Sequence, residues 1–162
     1  MISFKEGNIL ESEAKALINT VNTVGVMGKG IALQFKNAFP LNFKIYQKAC
    51  KDRTFDIGNI LVTNESTING EKIIINFPTK KDWRNPSEYE YIEKGLQELR
   101  KYILDNKIES IAIPPLGAGN GGLEWDREKK MIIDYLSDLD SDIIIYEPSS
   151  SIKRRCKRKE LN

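Results

Sequence analysis

Apolar segments recur along this 162-residue chain and predict strands that alternate with helices. Six segments are rich in β-branched residues, and several of them are apolar on both faces, as in the strands of a sheet that is covered on both sides. We place the predicted strands at residues 1–5, 15–21, 57–63, 72–77, 110–116 and 142–147.

Two helices are predicted between the second and third of these strands. Residues 29–39 and residues 41–50 both carry apolar side chains at helical spacing. Pro40 separates the two helices, because a proline ring ends or bends a helix.

Two further helices follow the fourth and fifth strands. In residues 88–104 the apolar positions form one stripe, and Ser87 and Glu90 have the spacing of a capping box. The stripe comprises Ile92, Leu96, Leu99 and Ile103. Asp126 is the expected N-cap of the last helix. The buried face of that helix comprises Ile132, Tyr135, Leu136 and Leu139.

These elements predict one three-layer α/β/α domain over residues 1–148, with a central mixed, largely parallel sheet. A hydrophobic content of 40% and a charged content of 30% are typical of a soluble globular protein. No apolar run approaches the roughly 20 residues that a membrane helix needs, and the first residues do not resemble a signal peptide. Because Cys50 and Cys156 are far apart in the sequence, we expect no disulfide. We therefore expect a cytoplasmic monomer with no membrane partner.

The positive charge is concentrated near the C-terminus. Residues 153–159, KRRCKRK, carry six of the 25 Lys and Arg residues, although the formal net charge of the chain is only +2. A basic arm of this kind binds nucleic acid in some proteins and is a solvated, disordered tail in others. Both interpretations are open for residues 149–162. The candidates for nucleic-acid contact in this tail are Lys153, Arg154 and Arg155.

Histidine is absent from the chain. This absence excludes Ser-His-Asp and Cys-His catalysis and any histidine-ligated metal. Two distant cysteines do not favour a zinc site either. We expect no metal and no cofactor, so that any chemistry depends on Lys, Asp, Glu, Asn or Tyr side chains or on backbone groups.

Three unusual loops follow predicted strands, at the carboxyl ends where α/β sheets bind ligands. The first and third are rich in glycine, so that their backbone N–H groups can form a nest for an anion, and two such loops suit a diphosphate. The alternative is that these glycines serve tight turns. Known phosphate motifs do not match, because Gly28 and Lys29 are followed by Gly30 and Ile31 instead of the residues of a P-loop or a Rossmann fingerprint. The loops read NTVGVMGKG (22–30), PTKKDWRNPS (78–87) and PPLGAGNGG (114–122).

The middle loop carries charged and aromatic side chains. Lys80 and Lys81 stand at the exit of the fourth predicted strand. A lysine there can be a counter-ion for phosphate or, if partly desolvated, a base or nucleophile toward a sugar C1, although most paired lysines are solvated surface. Trp83 and Arg84 offer a stacking plane and a planar cation for a base or phosphate, whereas the structural alternative for Trp83 is to cover the sheet edge.

Taken together, the three motifs resemble those of the macrodomain family, the ADP-ribose-binding α/β/α module. The matching segments are ALINTVNTVGVMGKGIALQFK (16–36), NFPTKKDWRNPS (76–87) and IPPLGAGNGGLEW (113–125). The resemblance is closest to the DarG-like subgroup of DNA ADP-ribosyl glycohydrolases. These antitoxins remove ADP-ribose from thymidine in single-stranded DNA that the partner toxin DarT has modified. A related branch, the terminal ADP-ribose glycohydrolases, cleaves ADP-ribose from acidic protein side chains.

The resemblance implies roles for the matching residues. Lys80 matches the catalytic lysine of both groups, and Asn22 matches an asparagine beside the distal ribose and the scissile bond. The implied partners are ADP-ribose, ADP-ribosylated single-stranded DNA and a DarT-like toxin. The implied ADP-ribose contacts are Asn8, Ile9, Asn19, Gly28, Lys29, Gly30, Ile31, Gly117, Ala118, Gly119, Asn120, Gly121, Gly122 and Tyr146.

This chain departs from the family pattern at two places. Asn8 stands where the family has an aspartate that contacts adenine, so a neutral amide replaces a charge. The third loop has Asn120, Gly121 and Gly122 where the protein-directed branch uses an aspartate, which favours the DNA-directed function. Hydrolysis of ADP-ribose esters on Glu or Asp or of O-acetyl-ADP-ribose, and a non-catalytic ADP-ribose reader, are the alternatives. DarG proteins carry a C-terminal region that engages the toxin, whereas only about a dozen residues follow Pro148 here, so toxin sequestration is not inferred and a free-standing hydrolase or a fragment fits better.

Overall fold

In the computed structural model, which describes residues 1–68 and 70–149, a six-stranded mixed sheet lies between two layers of helices. The strand order is β1-β6-β5-β2-β4-β3, and β3 is antiparallel to β4 while the other neighbours are parallel. The predicted architecture is therefore confirmed. The strands are β1 (Ile2–Lys5), β2 (Ala16–Asn22), β3 (Leu61–Thr67), β4 (Gly70–Lys80), β5 (Ser110–Ile113) and β6 (Asp142–Tyr146).

The helices pack in pairs on opposite faces of the sheet. The α-helices of the described residues are α1 (Gly30–Ala38), α2 (Pro40–Lys51), α3 (Tyr89–Asn106) and α4 (Trp125–Leu136). Successive residues of a strand point to opposite faces, so that Leu17 packs with Phe35 of α1 while Ile18 packs with Leu96 of α3. Pro40 occupies the first turn of α2 and separates it from α1, as predicted.

Several strand boundaries differ from the prediction, among them the end of β5 at Ile113 instead of residue 116, and two of the differences have a clear local cause. The third strand begins at Leu61 instead of residue 57, because Gly58 adopts φ +87° in a turn closed by a hydrogen bond from Asn59 N–H to Asp56 O. The fourth strand continues through Pro78 to Lys80. Proline is tolerated there because β3 pairs with β4 only as far as Asn76, which leaves one side of β4 without a ladder at Pro78.

Both predicted helix caps are wrong by one or two residues. The N-cap of α3 is Glu88, and Ser87 is held outside the helix because its N–H donates to Gly121 O at 3.0 Å. The N-cap of α4 is Glu124, so Asp126 lies in the first turn, where its charge still favours the helix dipole. Leu139, expected on the buried face of this helix, is buried beyond its end.

Part of the prediction lies outside the described residues. This is the case for the basic tail from residue 150 onward, including the proposed disorder and the nucleic-acid candidates Lys153, Arg154 and Arg155. Within residues 1–68 and 70–149, none of the helices combines the length and the apolar character that crossing a membrane requires.

A buried glycine in α3 yields a stability prediction. A Cβ built on Gly95 would lie 2.2 Å from Cζ of the fully buried Phe77. Gly95→Ala should gain about 1 kcal/mol of helix propensity but should lose about 1–3 kcal/mol through overpacking. Chemical denaturation should therefore show a net loss of stability, whereas Gln97→Ala on the exposed face of α3 should be nearly neutral. A Gly95→Ala protein more stable than the wild type would contradict this packing.

Candidate active site

A cavity of about 800 Å³ opens beyond the carboxyl ends of β2, β4 and β5, in the centre of the sheet. All three predicted loops contribute to its wall. The volume is within the range of small-molecule and cofactor sites. The predicted residues that line it are Asn22, Gly28, Lys29, Gly30, Ile31, Lys80, Trp83, Gly117, Ala118, Gly119, Gly121 and Gly122.

Sequence reasoning missed several lining residues. Most of them directly neighbour the motif residues, so that the same glycine-rich and lysine-containing segments could have indicated them. Ser87 and Glu124 instead stand at the starts of α3 and α4, where the sequence pattern indicates only helix capping for Ser87 and no role for Glu124. The missed lining residues are Thr20, Val21, Val26, Ala32, Thr79, Ser87, Pro114, Pro115, Leu116 and Glu124.

Three of the predicted adenine-side contacts do not line this cavity. The Asn8 side chain caps a short 3-10 helix, because its Oδ1 accepts the Leu10 N–H at 3.1 Å. Ile9 and Tyr146 are 1% and 6% exposed and belong to the core beneath α1. The structure therefore gives Asn8 a capping role and gives Ile9 and Tyr146 packing roles.

Asn19 is also not a wall residue of the cavity, contrary to the predicted ligand contact. It is 0% exposed, and its Nδ2 donates to Asn76 Oδ1 at 3.2 Å on the paired strand β4. Asn42 of α2 exchanges hydrogen bonds with the same Asn76, and Thr63 Oγ1 donates to Asn42 Oδ1 at 2.6 Å. These residues form a buried polar network that ties α2 to β2, β3 and β4.

Lys80 reaches the cavity through an irregularity in the pairing of β2 and β4. Val21 pairs with Pro78, but the next residue, Asn22, pairs with Lys80, so that Thr79 is an extra residue. An inserted residue of this kind re-aims the side chains beside it. Thr79, Lys80 and Asn22 consequently all line the same cavity.

The environment of Lys80 makes its ammonium form less favourable than that of a solvated lysine. Burial lowers the pKa of Lys80, and the positive charge of Lys29, which also lines the cavity, lowers it further. Both effects act against the ammonium form. Lys80 is thus a stronger candidate for a base or nucleophile near neutral pH than a solvated lysine would be.

Asn22 is held by its own loop. Its Oδ1 accepts the N–H groups of Val24 and Val26 at 3.1 and 3.3 Å, and its Nδ2 donates to Val26 O at 2.7 Å. The Tyr46 hydroxyl lies 2.9 Å from the same Oδ1 and 2.8 Å from Asn22 O. Burial raises the pKa of Tyr46, so that this hydroxyl keeps its proton and donates it. Asn22 can therefore offer a ligand the second Nδ2–H, in a fixed orientation.

The Trp83 ring stands at the cavity rim and is 49% exposed. Arg84 does not line the cavity, and its guanidinium is engaged by Asp82, with Nε and Nη2 each 3.0 Å from a carboxylate oxygen. This interaction lowers the pKa of Asp82 to about 2. The Arg84 guanidinium carbon also lies 5.4 Å from the centre of the Trp83 ring. Asp82 therefore partly neutralises the charge of Arg84, whereas the Trp83 ring remains exposed for stacking.

The third loop rests on a carboxylate that sequence reasoning overlooked. Glu128 of α4 is 0% exposed and accepts the N–H of Leu116 at 2.8 Å, the N–H of Ala118 at 3.0 Å and the N–H of Gly117. The N–H groups of Gly117 and Ala118 are therefore already bonded within the protein, although both residues line the cavity, and their contact with a diphosphate stays a prediction. A glutamate in the first turns of a helix is by pattern an ordinary surface residue, so no feature of the sequence marks Glu128 as buried.

The charged residues that line the cavity are Lys29 of the first loop, Lys80 of the second loop and Glu124, which follows the third loop. Within the described ranges, no cluster of three or more His, Cys, Asp or Glu side chains is arranged to hold a metal ion. The arrangement suits an anionic ligand whose phosphates lie near the lysines and the glycine-rich backbone.

Comparison with known proteins identifies the family. The model of the Macro domain family matches residues 18–132. The chain belongs to this family. The macrodomain is 50% identical to a DNA ADP-ribosyl glycohydrolase of Thermus aquaticus over 154 residues, which cover 94% of this chain and 43% of that protein.

Solved structures agree with this assignment. The macrodomain of Mycobacterium tuberculosis DarG matches with a TM-score of 0.89 and 49% identity, over 92% of this chain and 99% of that chain. Thermosipho africanus DarTG in complex with ADP-ribose matches with a TM-score of 0.86 and 35% identity, over 91% of this chain and 41% of that chain. The chain thus spans about two fifths of the length of the curated relatives that it matches.

The pKa of Lys80 provides a test of the cavity's electrostatics. Lys29→Gln removes a neighbouring positive charge, so the ammonium form of Lys80 becomes easier to keep and its pKa should rise toward the ordinary lysine value. NMR titration of the lysine side chains should detect this shift, and Lys44→Gln on α2 is a distant control. An unchanged or lower pKa of Lys80 in Lys29→Gln would contradict the proximity of the two amines.

Proposed function

We propose that this macrodomain is an ADP-ribosyl hydrolase that removes ADP-ribose from thymidine-modified single-stranded DNA. The support from relatives is that proteins 49–50% identical over more than nine tenths of this chain bear the name DNA ADP-ribosyl glycohydrolase. The support from geometry is a cavity of suitable size that is lined by Lys80 and by glycine-rich backbone.

The observation that carries the proposal is the position of Lys80. Its amine shares the cavity with Asn22 on the paired strand, and burial and Lys29 both lower its pKa. In the proposed complex the diphosphate of ADP-ribose lies along the glycine-rich loops, Asn22 orients the distal ribose, and Lys80 faces the anomeric carbon. Fixed N–H groups then stabilise the negative charge of the ligand without any need for reorganisation.

The proposed reaction breaks the bond between the anomeric carbon and the thymine nitrogen. The electron pair of that bond leaves with thymine, which also takes a proton, and a hydroxyl derived from water ends on the sugar. Lys80 serves either as the base that accepts the proton of water or as a nucleophile that forms an imine with the opened sugar, which water then hydrolyses. In both routes the lysine is regenerated.

Removal of the amine tests the proposal directly. Lys80→Ala should reduce release of ADP-ribose from a modified oligonucleotide by about 10²–10⁴-fold, the usual effect of losing a positioned acid or base. Lys81→Ala is the matched control and should retain activity, because Lys81 does not line the cavity. Covalent trapping with borohydride would assign Lys80 as the nucleophile. A Lys80→Ala protein with wild-type turnover would overturn the proposal.

A second candidate function is hydrolysis of ADP-ribose esters on protein Glu or Asp side chains or of O-acetyl-ADP-ribose. One observation favours it: Glu124 brings a carboxylate to the cavity wall that also contains Lys80. A glutamyl-ADP-ribosylated peptide assayed beside the oligonucleotide separates the two. Release from the peptide alone would establish the second function, and binding without release from either would establish an ADP-ribose reader.

Contact with the DNA strand is assigned to Trp83. A nucleobase next to the modified thymidine can stack on its exposed ring, and stacking contributes about 1–3 kcal/mol per base. Trp83→Ala should therefore raise KM for the oligonucleotide by about 10-fold while free ADP-ribose binds with affinity near that of the wild type. Arg84→Ala is the control and should have a smaller effect, because Asp82 already engages Arg84. Equal losses for oligonucleotide and free ADP-ribose would contradict a role in DNA binding.

The substrate implies a partner enzyme. A relative from Thermosipho africanus, 37% identical over 162 residues, is a DNA ADP-ribosyl transferase–DNA ADP-ribosyl glycohydrolase fusion protein. We infer that a DarT-like transferase toxin supplies the modified DNA to this macrodomain. Growth of cells that produce such a transferase should be restored by this chain and not by Lys80→Ala, and equal growth with both would count against the partnership.

A further inference from the structure

Glu128 is a buried carboxylate that the proposed reaction does not use. No side-chain cation in residues 1–68 and 70–149 forms an ion pair with it. Its hydrogen bonds run to the backbone of residues 116–118 in the third loop, where Leu116, Gly117 and Ala118 line the cavity. The carboxylate therefore lies directly behind the wall of the proposed ADP-ribose site.

Burial of this carboxylate is costly in itself. Burial raises the pKa of Glu128 to about 7 even though three N–H groups favour the charged form. A group whose pKa is raised by folding contributes stability at low pH, and this contribution is lost as the pH rises through the folded value. An apolar side chain of similar size would instead leave the N–H groups of residues 116–118 without their acceptor. Glu128 is thus the side chain that fixes the backbone of these residues behind the cavity wall.

Glu128 determines which N–H groups the third loop can offer. The N–H groups of residues 116–118 are directed at its carboxylate, and those of Gly122 and Leu123 donate to Gly119 O and Gly117 O at 3.1 and 3.0 Å. The part of the loop between them is the turn Gly119–Gly121, and both of its terminal residues line the cavity. That turn is also fastened to Ser87, whose N–H donates to Gly121 O at 3.0 Å.

We propose that Glu128 is the positioning residue of the diphosphate site: it binds the N–H groups of residues 116–118 so that the turn Gly119–Gly121 presents its own N–H groups to the ligand. This inference rests on the proposed function only in taking ADP-ribose as the ligand. It assigns a role to a side chain that does not touch the ligand. Preorganisation of this kind lowers the ordering cost of binding.

Hydrogen exchange in the wild-type protein tests the proposal without any substitution. In the free protein, the amide hydrogens of residues 116–118 should already be protected. The amide hydrogens of residues 119–121 should become protected only when ADP-ribose is added, by up to about 100-fold at a ligand concentration of 100 times Kd. Rapid exchange of residues 116–118 in the free protein, or a joint response of all six amides to the ligand, would overturn the proposal.

Two variants separate positioning from general support of the fold. Glu128→Gln keeps the shape but turns one acceptor into a donor that faces an N–H, and Glu128→Met removes both acceptors. Each should weaken ADP-ribose and ADP binding by about 10–100-fold, as for partners that orient metal ligands. Adenosine, which lacks the diphosphate, should bind as it does to the wild type. Glu98→Gln on the exposed face of α3 is the matched control.

The ligand comparison distinguishes the outcomes. Unchanged ADP-ribose affinity in a folded Glu128→Gln protein would overturn the proposal. An equal loss of affinity for adenosine would also overturn it, because such a loss indicates that the whole cavity has collapsed. If both variants fail to fold, the exchange pattern of the wild type decides. The experiment measures binding only, so that a wild-type protein that binds ADP-ribose but releases none from DNA refutes the proposed function and leaves this inference standing.

Discussion

The pairing of the carboxyl ends of β2 and β4 is the constraint on which the site depends. The two strands are parallel, and a one-residue irregularity at Thr79 brings Lys80 opposite Asn22. The first and second loops are then joined, because Thr23 donates to Lys81 O through both its N–H and its hydroxyl, at 3.3 and 2.8 Å. Lys80 and Asn22 thus both stand on paired strands. Pairing fixes their relative position, as a reaction at one carbon atom requires.

Buried polar contacts hold the loops around this pair of residues. Tyr46 of α2 fixes Asn22 from beneath the first loop, and Glu128 of α4 fixes the third loop from the opposite layer. Each helical layer therefore contributes one buried polar side chain that fixes a loop of the cavity wall from behind. A loop held in this way loses little conformational freedom when a ligand binds. The entropic cost of binding is therefore smaller, and the affinity for the ligand is higher.

The sequence predicted the layers, the order of the elements and most of the cavity wall, because each of these depends on local patterns. Apolar, β-branched segments identified β2 and β4, and the glycine-rich segments marked the first and third loops. Local patterns do not show long-range contacts. Asn8 caps a short 3-10 helix and Tyr146 packs in the core, and no pattern in the sequence distinguishes these positions from ligand contacts. Glu128 was missed because its partners lie ten to twelve residues earlier and on a different element.

The central claim is that Lys80 and the diphosphate site face one ADP-ribose molecule in one cavity. A crystal structure of this chain with bound ADP-ribose tests it most directly. The account predicts the diphosphate along Gly28–Ile31 and the turn Gly119–Gly121, with Lys80 Nζ within about 3–4 Å of the anomeric carbon of the distal ribose. A ligand bound outside this cavity, or an Nζ directed away from that carbon, would contradict it.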